Sequence, residues 1–166
     1  DIDRLFIVSS STISKKTDEI DKIKDILGKK FVGIFDSCEE HSPLENVVEC
    51  AKKIKSTRPD MILTVGGGTP IDTVKVSQLC LTLGIFSSAE LKKISGKIQN
   101  VNSNIRQIAV PTTLSGGEYS IVGGAMDTKR KLKESYLGTD LCPQVVILDP
   151  YISTHTPNWL WLSTAI

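Results

Sequence analysis

Two kinds of apolar pattern alternate along the chain, one typical of buried strands and one typical of helices that bury a single face. Short apolar runs predict strands at residues 5–9, 31–35, 61–65, 105–110 and 144–148. Apolar residues spaced three or four apart predict helices at residues 18–27, from 42–45 onward, from 69 to about 83, and at 89–94. This alternation predicts an α/β fold with a Rossmann-like, doubly wound, mainly parallel sheet.

Local signals refine this outline. Ser42, Pro43 and Glu45 match a capping box that opens the second long helix. The residues of this helix expected to face the core are Leu44, Val47, Val48, Ala51 and Ile54. Between residues 118 and 137, two strand-like pieces around Asp127 predict a small β-hairpin.

The C-terminal residues predict a second unit. A helix start near Thr156 and Pro157 meets no stop signal, and two tryptophans and two leucines at 159–162 have little to pack against. We therefore expect a dinucleotide-binding α/β domain over residues 1–150, followed at 151–166 by the start of a truncated helical domain. The exposed apolar residues would favour a homo-oligomer.

Composition excludes several classes of function. The chain has 166 residues, 40% hydrophobic and 23% charged, with a net charge of +1, which argues against nucleic acid or an anionic membrane as the main partner. No apolar run approaches the ~20 residues that span a bilayer. The four cysteines are scattered, which predicts buried thiols in a reducing, cytoplasmic compartment.

The strongest candidate for chemistry is the glycine triplet at 66–68, which follows a predicted strand and precedes a helix. Thr69 suits the N-cap, Pro70 the first helical position and Asp72 the third position of a capping box. Unpaired N–H groups at such a helix start favour the phosphates of a nucleotide. The triplet matches neither a P-loop nor G-x-G-x-x-G, so a tight turn that binds nothing stays an alternative.

A second candidate loop, PTTLSGGE at 111–118, also follows a strand. Because ligands of open α/β sheets bind at the carboxyl ends of the strands, we expect this loop beside the glycine triplet. Thr112, Thr113 and Ser115 would supply hydroxyl groups to a shared ligand. Alternatively, their side chains bond only to local backbone.

Together these motifs resemble one enzyme family. GGGTPIDTVK, PTTLSGGE, Lys133 and the VVILDP segment resemble the iron-containing alcohol dehydrogenases. The short PTTLSGGE loop, the His before Pro in FDSCEEHSP and Ser10 in place of an acidic residue are closer to the maleylacetate reductase branch. The resemblance covers only the nucleotide-binding half of such enzymes, which continue into an all-helical domain.

The resemblance implies a set of residues that contact the cofactor. Gly66, Gly67, Gly68 and Thr69 match the pyrophosphate cradle, and Thr112, Thr113 and Ser115 match the loop beside it. Lys133 matches a lysine that contacts the nicotinamide-side ribose, and Ser42 falls where alcohol dehydrogenases have a cofactor-contacting Asn. Gly117 departs from the family's usual Ser.

The cofactor is expected to be NAD or NADP. Relatives that prefer NAD carry an Asp at the end of the first strand, where this chain has Ser10. Without that carboxylate nothing repels a 2′-phosphate, and Lys15 or Lys16 would neutralise it. We therefore expect NADP to be tolerated.

The implied reaction is hydride transfer between the nicotinamide and an alcohol, aldehyde or keto substrate. In metal-dependent members one Asp and three His hold a divalent ion, Fe or Zn, but these residues belong to the helical half and no position here matches them. His41 and His155 are interpreted as surface residues. We expect this chain to supply neither a catalytic residue nor a metal ligand, and to be inactive by itself.

Two other functions stay open. A 3-dehydroquinate synthase-like lyase shares a glycine triplet and a PTTL segment, although Pro70 and Lys75 favour the dehydrogenase pattern. A module that binds a nucleotide without catalysis is the other alternative.

Overall fold

The computed structural model describes residues 2–165; residues 1 and 166, the outer ends of the two predicted domain ranges, lie outside the described residues. The strands are β1 Leu5–Ser10, β2 Phe31–Cys38, β3 Met61–Gly66, β4 Ile98–Gln99, β5 Arg106–Pro111, β6 Val122–Asp127, β7 Leu132–Gly138 and β8 Val145–Val146. The helices are α1 Ser11–Lys16, α2 Glu19–Leu27, α3 Leu44–Thr57, α4 Gly68–Leu83, α5 Ser88–Lys92, α6 Pro150–Ser153 and α7 Asn158–Ser163.

The central sheet has the strand order β2-β1-β3-β5-β8, and every neighbouring pair is parallel. This confirms the predicted doubly wound α/β fold. The predicted hairpin is confirmed as the antiparallel pair β6–β7, which forms a small second sheet with β4. The last strand of the central sheet is shorter than predicted, with only two residues instead of 144–148.

Helices cover both faces of the central sheet. On one face Ile20 of α2 and Ile152 of α6 pack with the strand residue Leu63. On the other face Ile54 of α3 and Val74 of α4 pack with further strand residues. The five residues of α3 predicted to face inward are all buried, so the helical spacing located this part of the core correctly.

The predicted capping box at the start of α3 is wrong. The N-cap is Pro43, and no side chain caps the helix. Two consecutive residues adopt a left-handed backbone conformation here: φ is 62° at His41 and 53° at Ser42. The Ser42 hydroxyl therefore points away from α3, towards the start of α4.

The predicted cap of α4 is also wrong, because this helix begins earlier than its polar residues indicate. Gly67 is the N-cap and Gly68 the first helical residue, so Thr69 and Pro70 occupy the second and third positions. No side chain caps this end. Pro70 has no N–H to satisfy and is tolerated in the first turn.

Within residues 2–165, no helix combines the length and the apolar character needed to cross a lipid bilayer.

Candidate functional site

The carboxyl ends of β3 and β5 bring the two predicted loops together. The strands are paired in register up to Gly66 opposite Pro111. Immediately beyond, the Thr112 N–H donates to the Gly66 carbonyl at 3.0 Å. The glycine triplet and the PTTLSGGE loop are therefore neighbours at one edge of the sheet, as their order in the sequence predicted.

The start of α4 offers main-chain donors at this edge. The N–H groups of Gly68 and Thr69 have no acceptor among residues 2–165. The positive end of the helix dipole lies at the same place, and unpaired N–H groups at a helix N-terminus favour anions. This end of α4 is consequently suited to a phosphate group.

The space beside the glycines is already occupied by the neighbouring loop. A Cβ at Gly67 would lie 2.7 Å from Thr113 Cγ2, and a Cβ at Gly68 would lie 3.1 Å from Ser115 Oγ. The two hydroxyl oxygens, Thr113 Oγ1 and Ser115 Oγ, are 3.4 Å apart. The glycines thus let the PTTLSGGE loop pack closely and also leave the main chain of α4 accessible. The Thr113 and Ser115 hydroxyl groups consequently lie beside the start of the helix.

Ser42 lies beneath the start of α4 and is 1% exposed. Its hydroxyl donates to the Thr69 carbonyl at 3.1 Å and accepts from the Thr73 hydroxyl at 3.1 Å. The side chain therefore supports the first turn of α4, and its predicted contact with a cofactor stays a prediction.

Lys133 reaches the same helix from the β6–β7 hairpin. Its Nζ lies 3.6 Å from Asp72 Oδ2, with about half of the Lys133 side chain exposed. A Cβ at Gly124 would clash with Lys133 Cε, so Gly124 makes room for this side chain. Burial raises the pKa of Asp72, and the Lys133 ammonium opposes that rise. The pair sets the Lys133 ammonium against the Asp72 carboxylate, on a residue one helical turn after Gly68.

Lys75 is a residue whose role the sequence did not reveal. It is fully buried, and its Nζ donates to the carbonyls of Gly117, Ser120 at 2.6 Å and Val122 at 3.1 Å. Burial lowers the pKa of Lys75. Apart from the family pattern that includes Lys75, the signal for this role was its spacing from Ile71, which places it on the inward side of α4.

Ser10, at the end of β1, is the N-cap of α1, and its hydroxyl accepts from the Ile13 N–H at 3.4 Å. Lys15 and Lys16 lie in the last turn of this short helix and are exposed. Ser10 is thus at the predicted edge of the sheet, with two cations on the helix that it caps.

Neither histidine belongs to a metal-binding cluster in the part of the chain that the structure describes. The His41 side chain is 60% exposed. His155 is partly buried, with its Nε2 3.5 Å from Glu19 Oε1 and its ring against Tyr151. The described residues do not provide a donor set that fits a catalytic metal.

An open cleft of about 730 Å³ lies beside the PTTLSGGE loop. One wall is the loop itself, with Thr113, Leu114 and Glu118, and the other contains Leu148 and Trp161.

The sheet topology, together with the donors gathered at its carboxyl edge, defines the chain as a Rossmann-like α/β domain.

Comparison with known proteins identifies the family. Residues 1–150 match the model of the iron-containing alcohol dehydrogenase family. Dehydrogenase ALT3 of Alternaria alternata is 34% identical over 98% of this chain, and maleylacetate reductase 1 of Rhodococcus opacus is 25% identical over 88%. The chain spans 44% and 34% of these relatives.

Solved structures show the same fold. The sulfoacetaldehyde reductase of Bifidobacterium kashiwanohense, determined in complex with NAD+, aligns with a TM-score of 0.85 at 22% identity, over 98% of this chain and 43% of its own. A 1,3-propanediol oxidoreductase aligns with a TM-score of 0.82 at 24% identity, over 98% and 42%.

The chain therefore belongs to the iron-containing alcohol dehydrogenase family. It corresponds to the N-terminal, α/β part of these oxidoreductases. The family assignment favours the dehydrogenase interpretation over a 3-dehydroquinate synthase-like lyase.

Proposed function

We infer that this chain is the dinucleotide-binding part of an NAD(P)-dependent oxidoreductase that transfers hydride between a nicotinamide and an alcohol or carbonyl carbon. The observation that carries this proposal is the pair of unpaired N–H groups at Gly68 and Thr69, set beside the Thr113 and Ser115 hydroxyls. The NAD+ bound to the related sulfoacetaldehyde reductase and the maleylacetate reductases among the relatives support it.

The proposed site has four parts. The pyrophosphate binds at Gly66, Gly67, Gly68 and Thr69; Thr112, Thr113 and Ser115 flank it; Lys133 reaches the nicotinamide-side ribose. The adenosine ribose lies near Ser10. Ser42, whose contact with the cofactor stays a prediction, supports the first turn of α4. The Lys133 ammonium adds positive charge beside the diphosphate.

The proposal assigns no catalytic residue to this chain. A divalent ion, Fe or Zn, would supply Lewis-acid polarisation of the substrate oxygen from a helical domain that begins after residue 150. The described residues hold no set of ligands for that ion, so this chain would bind the cofactor without turning over substrate. The exposed Trp159 and Leu162, 70% and 67% exposed, are candidates for self-association into a homo-oligomer.

Thermal denaturation tests the proposed binding directly. NAD+, NADP+ and ADP should each stabilise the chain, by ~2.7 kcal/mol at a hundred times the dissociation constant. Adenosine, which lacks the diphosphate, is the control and should give a much smaller shift. Equal shifts with adenosine and ADP would show that the helix start does not hold the phosphates.

Ser10→Asp tests the choice between NAD and NADP. Asp caps a helix as well as Ser does, so α1 should keep its stability. Its carboxylate would repel a 2′-phosphate, and NADP+ affinity should fall by about tenfold or more while NAD+ affinity holds or rises. Isothermal titration of both cofactors measures this, and a wild-type chain with clear NAD preference would contradict the expected tolerance of NADP.

A further inference from the structure

The C-terminal arm, residues 150–164, holds the PTTLSGGE loop at two points of its main chain. Thr156 Oγ1 donates to the Thr112 carbonyl at 2.6 Å. Thr164 Oγ1 accepts from the Leu114 N–H at 3.1 Å. Each threonine reaches the loop across more than forty residues of sequence, 44 and 50 respectively, so these bonds tie two distant segments together.

The two bonds lie on either side of Thr113. The methyl and hydroxyl groups of Thr113 occupy the space that a side chain at Gly67 would fill at the start of α4. Thr112 is itself fixed on its other side, because its N–H donates to the Gly66 carbonyl at 3.0 Å. The position of Thr113 against the unpaired N–H groups is therefore set from both the glycine turn and the arm.

The Thr164 hydroxyl donates within α7 while its oxygen accepts from the loop. Its Oγ1 lies 3.0 Å from the Leu160 carbonyl and 3.1 Å from the Trp161 carbonyl. A hydroxyl that donates to a carbonyl of its own helix keeps a lone pair free for the Leu114 N–H. The oxygen that accepts from the loop is therefore also held by bonds to carbonyl groups at the end of α7.

The geometry points to Thr156 and Thr164 as positioning residues of the cofactor site: the arm is a clasp that holds the PTTLSGGE loop in its binding conformation. The inference rests on the proposed function for the identity of the ligand, a dinucleotide. It adds that affinity for this ligand depends on two residues outside both glycine-containing segments. Movement or refolding of α7 would then change the affinity for the diphosphate of the ligand.

Valine variants remove each hydroxyl and keep the shape of the side chain. If the loop without its clasp adopts the binding conformation only a tenth to a third of the time, the apparent dissociation constant for NAD+ rises by roughly three- to tenfold. Hydrogen exchange of the Leu114 amide should accelerate at least as much in Thr164→Val, since that amide loses its acceptor. Thr156→Ser and Thr164→Ser keep a hydroxyl and should restore both readouts.

Matched controls lie on the same arm. The Thr154 hydroxyl donates to the Tyr151 carbonyl, and the Ser163 hydroxyl donates to the Leu160 carbonyl, each within its own helix. Thr154→Val and Ser163→Ala should leave NAD+ affinity and Leu114 exchange unchanged. Valine variants that behave like these controls, or controls that weaken binding as much as the valine variants, would overturn the clasp.

The two readouts separate this inference from the proposed function. A wild-type chain that does not bind NAD+ would refute the function, and Leu114 exchange would still show whether the arm holds the loop. A wild-type chain that binds, with Thr164→Val binding equally well and exchanging equally slowly, refutes the clasp alone. Should Thr156→Val fail to fold, Thr164→Val decides, since its bond to Leu114 is at the surface.

Discussion

Gly67→Ala is expected to weaken NAD+ binding by at least about tenfold and to lower the free energy of unfolding by about 1–3 kcal/mol. The new Cβ would lie 2.7 Å from Thr113 Cγ2 and 2.9 Å from Thr113 Oγ1, closer than unstrained atoms approach. Backbone strain is not the cause, because Gly67 has φ of −82° and ψ of −158°, which alanine can adopt. The loss of stability arises from the clash with the PTTLSGGE loop, and the loss of affinity arises from the new side chain at the start of α4.

A second substitution separates these two causes. In Gly67→Ala/Thr113→Ala the clashing atoms are gone, and the remaining Cβ–Cβ separation is 3.4 Å. Stability, measured by urea denaturation, should recover most of its loss. Affinity, measured by titration calorimetry, should not recover, because the approach to the backbone stays blocked and the Thr113 hydroxyl is missing.

Gly117→Ala is the matched control within the same loop. A Cβ there would meet its neighbours at 3.7 Å or more, an ordinary contact distance. Both stability and NAD+ affinity should stay close to wild type. Full recovery of affinity in the double variant would mean that Gly67 serves only the packing of the loop and not the ligand.

The architecture was predictable from the sequence because it depends on patterns within single segments. Apolar runs and helical spacing located the strands and the buried side of α3, and the alternation of the two predicted the parallel sheet. The nearness of the glycine turn and the PTTLSGGE loop followed from topology alone, since parallel strands end at a common edge.

One error and several missed roles concern polar side chains whose partners are distant in sequence. Ser42 has the local signature of a helix cap, yet its hydroxyl bonds to Thr69 and Thr73, 27 and 31 residues away. The capping-box pattern predicts one hydrogen bond for this hydroxyl, within its own helix start. In the folded chain the hydroxyl makes two hydrogen bonds to α4 instead. The same limit hid Thr156 and Thr164, whose bonds to the loop are visible only once the arm has folded against it.

Lys75 is the clearest case of such a hidden role, because a lysine in a helix is ordinarily interpreted as exposed. Here the ammonium donates hydrogen bonds to three carbonyl groups within residues 117–122. This segment joins the PTTLSGGE loop to the hairpin. The lysine thereby links α4, whose start forms the proposed phosphate site, to the far end of the hydroxyl-bearing loop.

Lys75→Met is expected to lower the free energy of unfolding by about 2–4 kcal/mol. Methionine is an apolar chain of similar length and removes the cost of burying a charge, but it leaves three carbonyl oxygens without their donor. Each unsatisfied buried acceptor costs about 1–3 kcal/mol. Residues Gly117, Ser120 and Val122 are partly exposed, so water can hydrogen-bond to their carbonyl groups in the variant. The total loss of stability is therefore smaller than that of three fully unsatisfied acceptors.

Lys52→Met is the control, since Lys52 is exposed on α3 and the same chemical change there should alter stability by less than about 0.5 kcal/mol. Urea denaturation measures both variants, and hydrogen exchange should show the extra opening of Lys75→Met concentrated in residues 117–122. NAD+ affinity should fall as well, because the loop that carries Thr113 and Ser115 loses its anchor on α4. If Lys75→Met unfolds at the same urea concentration as Lys52→Met, the three carbonyl groups do not depend on this ammonium and the link between α4 and the loop must lie elsewhere.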